Sequence, residues 1–243
     1  MRVYVTGEVT MSATGQPERG TAGEARDTGR LEAFSDGVLA IVVTIIVLEI
    51  HVPPLTSVDA KHSLLDQLLH QWPIYLAYLT SFLTVFVMWV NHHNIFKQVR
   101  KVDQTFLILN GLLLLCIAVV PFTTALLAEY LTHPESRTAI LVYNGVYVFV
   151  ALAFNRMWFY AARNGRLLIR DANAAFVRHT SRGYAIGPLL YLATFAIGAV
   201  NTIAGVVANL ALAVFFALPS GANREDAADA LAATPSVTGT AAN

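Results

Sequence analysis

Apolar residues run through this chain in stretches as long as a bilayer is thick, each ended by a short polar or Pro-containing segment. The clearest covers residues 34–52, 19 residues or about 28 Å of helix, which matches the hydrocarbon thickness of a membrane. Within it Val38, Ile41, Ile45, Leu48 and Val52 recur at three- and four-residue steps and share one helical face, while Ser35 and Asp36 point away from it. A second span covers 72–96, with Pro73 in its first turn, where the missing N–H is not needed. Thr80, Thr84 and Asn91 fall along one side of that span, a polar stripe suited to hydrogen bonds with neighbouring helices or to lining water. A third covers 105–128, capped by Asp103 and bent at Pro121. The fourth, 138–162, carries Asn144, Asn155 and Arg156, the last placed to snorkel towards headgroups. Residues 184–218 are too long for one span and divide near Asn201-Thr202 into two short helices. The pattern predicts an all-α, polytopic membrane protein built as a six-transmembrane-helix bundle.

Between the spans the composition changes. Residues 1–29 are rich in Gly, Thr, Glu and Arg without periodicity and cannot bury enough apolar surface to order themselves, so they are expected to form a disordered tail. After the first span, 51–71 forms a loop in which Pro53-Pro54 stops the helix and Ser63-Leu64-Leu65-Asp66 starts a short capped helix at the membrane interface. Residues 164–182 form a strongly basic loop, and 219–243 an Ala-rich polar tail, which leaves 30–218 as the membrane domain. Six spans put both termini on one side. Fourteen of the 16 Lys and Arg residues fall on that side, against Lys61 and Arg137 on the other, so the termini are expected in the cytoplasm of a protein of the cell membrane.

Composition narrows the function classes. With 56% hydrophobic and 13% charged residues and a mean hydropathy of +0.55, the chain of 243 residues is too apolar for an ordinary soluble domain. A net charge of zero without a basic block outside the loops gives no footprint for nucleic acid. The single Cys116 excludes an internal disulfide and a thiolate metal cluster. The first ten residues lack the apolar core of a cleavable signal peptide. No Gly-rich phosphate loop, Ser-His-Asp arrangement, paired-Cys motif or His-Glu-x-x-His helix appears, so no enzyme, cofactor or metal is expected.

The remaining chemistry gathers at one end of the first three spans. An ionised Asp36 inside lipid costs roughly 2.5 to 3.5 kcal/mol on insertion scales, so it needs the helix end or a partner, and Arg30 is the nearest base in sequence. Trp89, Asn91, His92, His93 and Asn110 belong to the same end and can meet it in space. Paired histidines beside a carboxylate also suit a metal or a proton relay, although adjacent residues point about 100° apart on a helix. The aliphatic stripe of the first span admits lipid contact, core packing or a pore face. Thr44, the only hydroxyl in the middle of that helix, can coordinate a dehydrated cation or bond back to its own backbone. Glu49, at the far end, is either a carboxylate at a pore mouth or a solvated interfacial residue.

Several motifs carry a family resemblance. Arg30-x-x-x-Phe34-Ser35-Asp36, followed by Gly37-Val38-x-Ala40-Ile41-x-x-Thr44-x-x-Val47-Leu48-Glu49, resembles the first helix of the lysosomal potassium channel family of the transmembrane protein 175 type. Trp89-Val90-Asn91-His92-His93-Asn94-Ile95-Phe96 and residues 110–124, NGLLLLCIAVVPFTT, extend the likeness. Bacterial members carry a single six-helix unit of similar length. The resemblance implies a homotetrameric, potassium-permeable cation channel whose pore is lined by the first helix of each subunit, in contact with membrane lipids. It implies that Ile41 forms the narrowest apolar constriction and Ile45 and Leu48 further rings, a dry neck that gates by dewetting. It also implies that Arg30, Phe34, Ser35, Asp36, Trp89, Asn91, His92, His93 and Asn110 form a hydrogen-bonded network holding that helix in register. No Thr-Val-Gly-Tyr-Gly filter is present, so potassium preference is expected to be modest. The alternative is a proton-coupled or other secondary cation transporter using the Asp/His cluster. Spans one to three do not resemble spans four to six, which speaks against it because transporters are commonly built from internal repeats.

Overall fold

The computed structural model describes residues 19–55, 63–169 and 174–217. The expected C-terminal tail, 219–243, and the first 18 residues of the N-terminal one lie outside the described residues. Among the described residues eight α-helices follow in order: α1 Arg19–Ile45, α2 Leu64–His70, α3 Trp72–Gln98, α4 Gln104–Ala118, α5 Val120–Tyr130, α6 Ser136–Ala162, α7 Ala174–Val200 and α8 Thr202–Ala217. Among the described residues no strand forms beyond an isolated bridge, Val99 with Leu168.

Local chemistry sets most boundaries. The Ser63 hydroxyl accepts from the Asp66 N–H while the Asp66 carboxylate accepts from the Ser63 N–H, a reciprocal cap that starts α2. Asp103 accepts from the Phe106 N–H at 2.9 Å and starts α4. Pro73 sits in the first turn of α3. Pro121 breaks the third span at Val119, so one 27-residue apolar stretch becomes α4 and α5.

The structure differs from the sequence expectation in three respects. α1 begins at Arg19, inside the stretch expected to be tail, and tightens into a 3-10 turn over Ile46–Glu49, so the helical run stops before Val52. α7 begins at Ala174, inside the expected basic loop. The third concerns number: among the described residues five helical segments are long and apolar enough to cross a membrane, while α8, split from α7 at Asn201 as expected, has only 16 residues. That is about 24 Å of helix, short of the hydrocarbon thickness.

α6 is the hub. It packs against α4, α5, α7 and α8, and it supplies Trp158, Tyr143, Tyr147, Ile140 and Met157 to the fully buried core. α7 and α8 meet where glycine is required: a Cβ on Gly205 would lie 2.6 Å from the Gly198 Cα. Asn144 of α6 donates to the Thr194 carbonyl of α7 at 2.7 Å and accepts from Asn209 of α8, so polar side chains join three helices where apolar contact alone is weak in lipid. At the basic end, Asn164 and Gly165 adopt positive φ of 56° and 64°, turning the chain after α6. The turn carries Leu167 and Ile169 to the α3–α4 connection, where the Arg100 N–H donates to the Leu167 carbonyl at 2.8 Å and the Ile169 N–H to the Gln98 carbonyl at 3.0 Å. Asp103 completes this clasp, accepting from the Tyr160 hydroxyl at 2.7 Å and pairing with Arg166 at 3.4 Å. Desolvation alone would raise the pKa of its carboxyl, but Tyr160, the backbone N–H groups of α4 and Arg166 together hold it below the ordinary value.

Candidate functional site

The two long faces of α1 have opposite fates. Ser35, Leu39, Val42 and Ile46, spaced by four, three and four residues, are buried against α3, α4 and α5. Phe34, Gly37, Ile41, Thr44, Ile45 and Leu48 are exposed on the other side, Ile41 at 58% against 4% for its neighbour Val42. Among the described residues, no other part of the subunit covers that second face. The Thr44 hydroxyl, in its middle, donates to its own backbone, at 3.0 Å from the Ala40 carbonyl and 2.9 Å from the Ile41 carbonyl. Its lone pairs stay on the exposed side. Glu49 closes the 3-10 turn, half-buried, without a hydrogen bond or ion pair among the described residues.

Behind the buried face runs a directional chain of hydrogen bonds. The Ser35 hydroxyl donates to the Leu31 carbonyl at 2.9 Å and accepts from Asn110 Nδ2 at 2.9 Å. Asn110 Oδ1, 3.0 Å from His92 Nε2, can only accept, so Nε2 carries the imidazole proton. All three side chains are buried, and the His92 ring stacks on Phe96 with centroids 4.4 Å apart. This chain ties α1 to α4 and α4 to α3.

A second tie lies beside it, nearer the surface. Glu32 and Asp36 are one turn apart on α1, and His93 and Trp89 are one turn apart on α3 in the opposite sense. Trp89 Nε1 donates to Asp36 Oδ1 at 3.1 Å and His93 Nδ1 to Glu32 Oε1 at 2.9 Å, with the Trp89 and His93 rings stacked at 5.9 Å. The two histidines therefore serve different partners on different sides of α3.

Several expected members stand elsewhere. Arg30 is exposed and makes no ion pair with Asp36; among the described residues it has no hydrogen-bonded partner at all. A partly exposed carboxylate with an indole donor does not need a guanidinium. Asn91 is half-buried and takes part only through its carbonyl, which accepts from the Tyr184 hydroxyl at 3.4 Å. Phe34 is exposed and belongs to the open face rather than to the hydrogen-bonded chain. Glu32 escaped the sequence reading. Its signal was present in the pairing of two four-residue spacings, Glu32 with Asp36 and Trp89 with His93. Thr28 escaped too: its hydroxyl donates to the Arg100 carbonyl at 3.3 Å and fastens the base of α1 to the basic clasp.

An amphipathic pattern whose polar residues are consumed in holding a helix, and whose apolar face is left open, suits a helix that presents itself to something outside its own subunit. Comparison with known proteins is consistent with this layout. Residues 30–121 match the family described as Endosomal/lysosomal potassium channel TMEM175. A potassium channel of Chamaesiphon minutus is 48% identical over 201 residues, 83% of this chain and 98% of that protein. A potassium channel of Streptomyces collinus is 41% identical over 191 residues, 78% of this chain and 91% of that protein. The crystal structure of a lysosomal potassium-selective channel TMEM175 homolog from Chamaesiphon minutus superposes with a TM-score of 0.72 at 46% identity, covering 79% of this chain and 97% of that one. A more distant relative of Gallus gallus, an endosomal/lysosomal proton channel, is 37% identical over 51% of this chain and 26% of its own length. Identity of this order along nearly the whole of two bacterial relatives, together with the family match over the helices that carry the α1 network, shows that this integral membrane protein belongs to the TMEM175 family of cation channels.

Proposed function

We propose that the chain forms a homotetrameric, potassium-permeable channel of the cell membrane, with its termini in the cytoplasm and the open face of α1 from each subunit lining a central path. The observation that carries this reading is the division of α1 into a face pinned by Ser35, Asn110 and His92 and a face, Phe34 to Leu48, that its own subunit leaves bare. A lipid-facing helix needs no such pinning, whereas a pore helix must keep its rotation to keep its radius. In this assembly Ile41 sets the narrowest ring, Ile45 and Leu48 add apolar rings, and the neck conducts when it wets. Thr44 faces the path with free lone pairs, and Glu49 collects cations at the mouth opposite the basic end. The membrane unit extends over 30–218 with α7 and α8 as its last two crossings, α8 being completed by the bend at Asn201. Among the bacterial relatives, two named as potassium channels support the choice of ion.

A second reading, proton passage or proton coupling, is favoured by the Glu32–His93 pair between α1 and α3 and by the naming of the animal relative. One measurement separates the two. Purified protein in liposomes, loaded with potassium and diluted into potassium-free buffer, is expected to release potassium at a rate set by the potassium gradient and the membrane potential alone. Flux that needs an opposing proton gradient would overturn the passive channel.

A further inference from the structure

Four arginines at the basic end of α6 and α7 are exposed and uncompensated. Arg156, Arg163, Arg178 and Arg182 make no ion pair or hydrogen bond among the described residues, and neither helix contains an Asp or Glu to balance them. Of the carboxylates described at this end, Glu32 pairs with His93, Asp36 accepts from Trp89 and Asp103 pairs with Arg166. Asp27 lies near the start of α1, next to the residue whose hydroxyl bonds to the α3–α4 connection.

Register brings the four arginines together. Asn155 Nδ2 donates to the Tyr184 carbonyl at 2.8 Å and Trp158 Nε1 to the Ser181 hydroxyl at 2.9 Å, so α7 runs antiparallel to α6 with these residues level. Arg156 then stands level with Gly183, beside Arg182, and Arg178 level with Ala161, close to Arg163, all within about 10 Å along the axis. On α6, Arg156 and Arg163 lie about 110° round from Asn155 and Trp158, which meet α7; on α7, Arg178 and Arg182 lie about 110° round, in the same sense, from Ser181 and Tyr184. In an antiparallel pair equal turns in the same sense end on one side, so the arginines form a single cationic patch.

Its depth suits a headgroup. Arg137 and Arg156 bracket 18 residues of α6, a separation of about 28 Å that matches the hydrocarbon thickness. One and two turns further into the membrane, Leu152 and Phe149 of α6 and Ile186 and Leu189 of α7 are exposed by 43–64%, an apolar surface continuous with the patch. A neighbouring subunit is a poorer occupant, because guanidinium groups buried without carboxylates are costly and these helices offer none.

We propose that this face binds an anionic phospholipid of the leaflet at the basic end, its phosphate held between Arg156 and Arg182 and its acyl chains on Leu152 and Ile186. The planar fork of a guanidinium matches phosphate oxygens in pairs, and a net negative headgroup gains from the remaining charges where a zwitterionic one does not. Such binding needs the protein to sit in a membrane but not to conduct. The test is native mass spectrometry of the full-length protein, titrated in detergent with phosphatidylglycerol or phosphatidylcholine. Phosphatidylglycerol is expected to bind about tenfold more tightly. The double variant Arg156→Gln/Arg182→Gln should lose about tenfold or more of that affinity, given roughly fivefold for each basic residue near an anionic surface, and Arg137→Gln at the far end should lose none. Equal affinity for the two lipids, or equal phosphatidylglycerol binding by parent and double variant, overturns the proposal. So does displacement of phosphatidylglycerol by an equimolar amount of inorganic phosphate, which would mark a simple anion site. The second measurement is independent of the variants: an electron-microscopy map of the parent in nanodiscs containing phosphatidylglycerol should show a lipid phosphate within about 4 Å of Arg156 and Arg182. A map in which another subunit covers this face, or in which no lipid lies on it, overturns the proposal.

Discussion

At the scale of single residues, Ile41 and Val42 are adjacent in the chain and opposite in circumstance: one is 58% exposed, the other 4%. In the proposed pore Ile41→Asn puts hydrogen-bonding groups into a dry neck, so water enters and the barrier to ions falls. Cation conductance measured in planar bilayers should rise several-fold and discrimination between potassium and sodium should weaken. Val42→Asn buries an amide without partners beside Leu39 and Ile46, which costs about 1–3 kcal/mol, and should lower the yield of folded protein without a larger conductance per channel. The pore assignment would not survive a leaky Val42 variant beside an unchanged Ile41 variant. Asn110 makes the complementary case, since its amide serves both Ser35 and His92. Asn110→Ala strands an imidazole N–H in the core and takes away the donor to the Ser35 hydroxyl, and should lower the thermal midpoint by an amount equivalent to about 2–3 kcal/mol while leaving the potassium-to-sodium ratio of surviving channels unchanged. A changed ratio at normal stability would instead put Asn110 in the ion path.

At the scale of elements, what could be read from the sequence was what neighbouring residues decide. The Ser63 cap, the Asp103 cap, Pro73 at the head of α3, the break at Pro121 and the split at Asn201 each depend on a few residues in a row, and each boundary falls where local chemistry puts it. That Ile41, Ile45 and Leu48 share a side of α1 away from Ser35 was legible too, because a helix converts spacing into direction, but which side its own subunit leaves bare was not. Contacts between distant segments were not. The Val99–Leu168 clasp joins residues about seventy positions apart through backbone groups that every residue has, so no side-chain pattern announces it. Arg30 is the nearest base to Asp36 in sequence, yet the donor that reaches the carboxylate is the indole of Trp89, which only the family resemblance, and no local pattern, puts in the same network. The α7–α8 junction is a further contact of this hidden kind. Gly205 admits the Gly198 backbone within a distance that a methyl group would close to 2.6 Å, whereas a methyl group on Gly183, earlier in α7, would meet nothing within 4 Å. Gly205→Ala should therefore prise α8 from α7 at a cost of about 1–3 kcal/mol, seen as a lowered unfolding midpoint. Gly183→Ala should be neutral or stabilising by up to about 1 kcal/mol, because only its helix propensity changes. Equal effects at the two glycines would mean that the close approach carries no energy.

At the scale of the whole molecule, a single subunit encloses no axis: α6 takes the centre of the bundle, and α1 lies at its edge with one face bare. Closed cyclic symmetry is the simplest way to cover such a face, since the same stripe repeats around an axis and each copy supplies a wall. Symmetry also multiplies charge. Glu49 ends the 3-10 turn that follows the stripe, with no partner among the described residues to neutralise it, so in the proposed tetramer four carboxylates would ring the mouth opposite the basic end. Such a ring raises the local cation concentration over about one Debye length, roughly 30 Å at 0.01 M salt but only about 8 Å at 0.15 M. Glu49→Gln is therefore expected to reduce single-channel conductance for cations entering from that side by about twofold or more in dilute potassium chloride, and by little in concentrated solution. Entry from the basic side should be far less affected at either concentration, which distinguishes a charged mouth from a general loss of folded channels. If conductance in dilute salt were the same for parent and variant, Glu49 would be an ordinary solvated interfacial residue, and the ends of the α1 stripe would lie away from the axis.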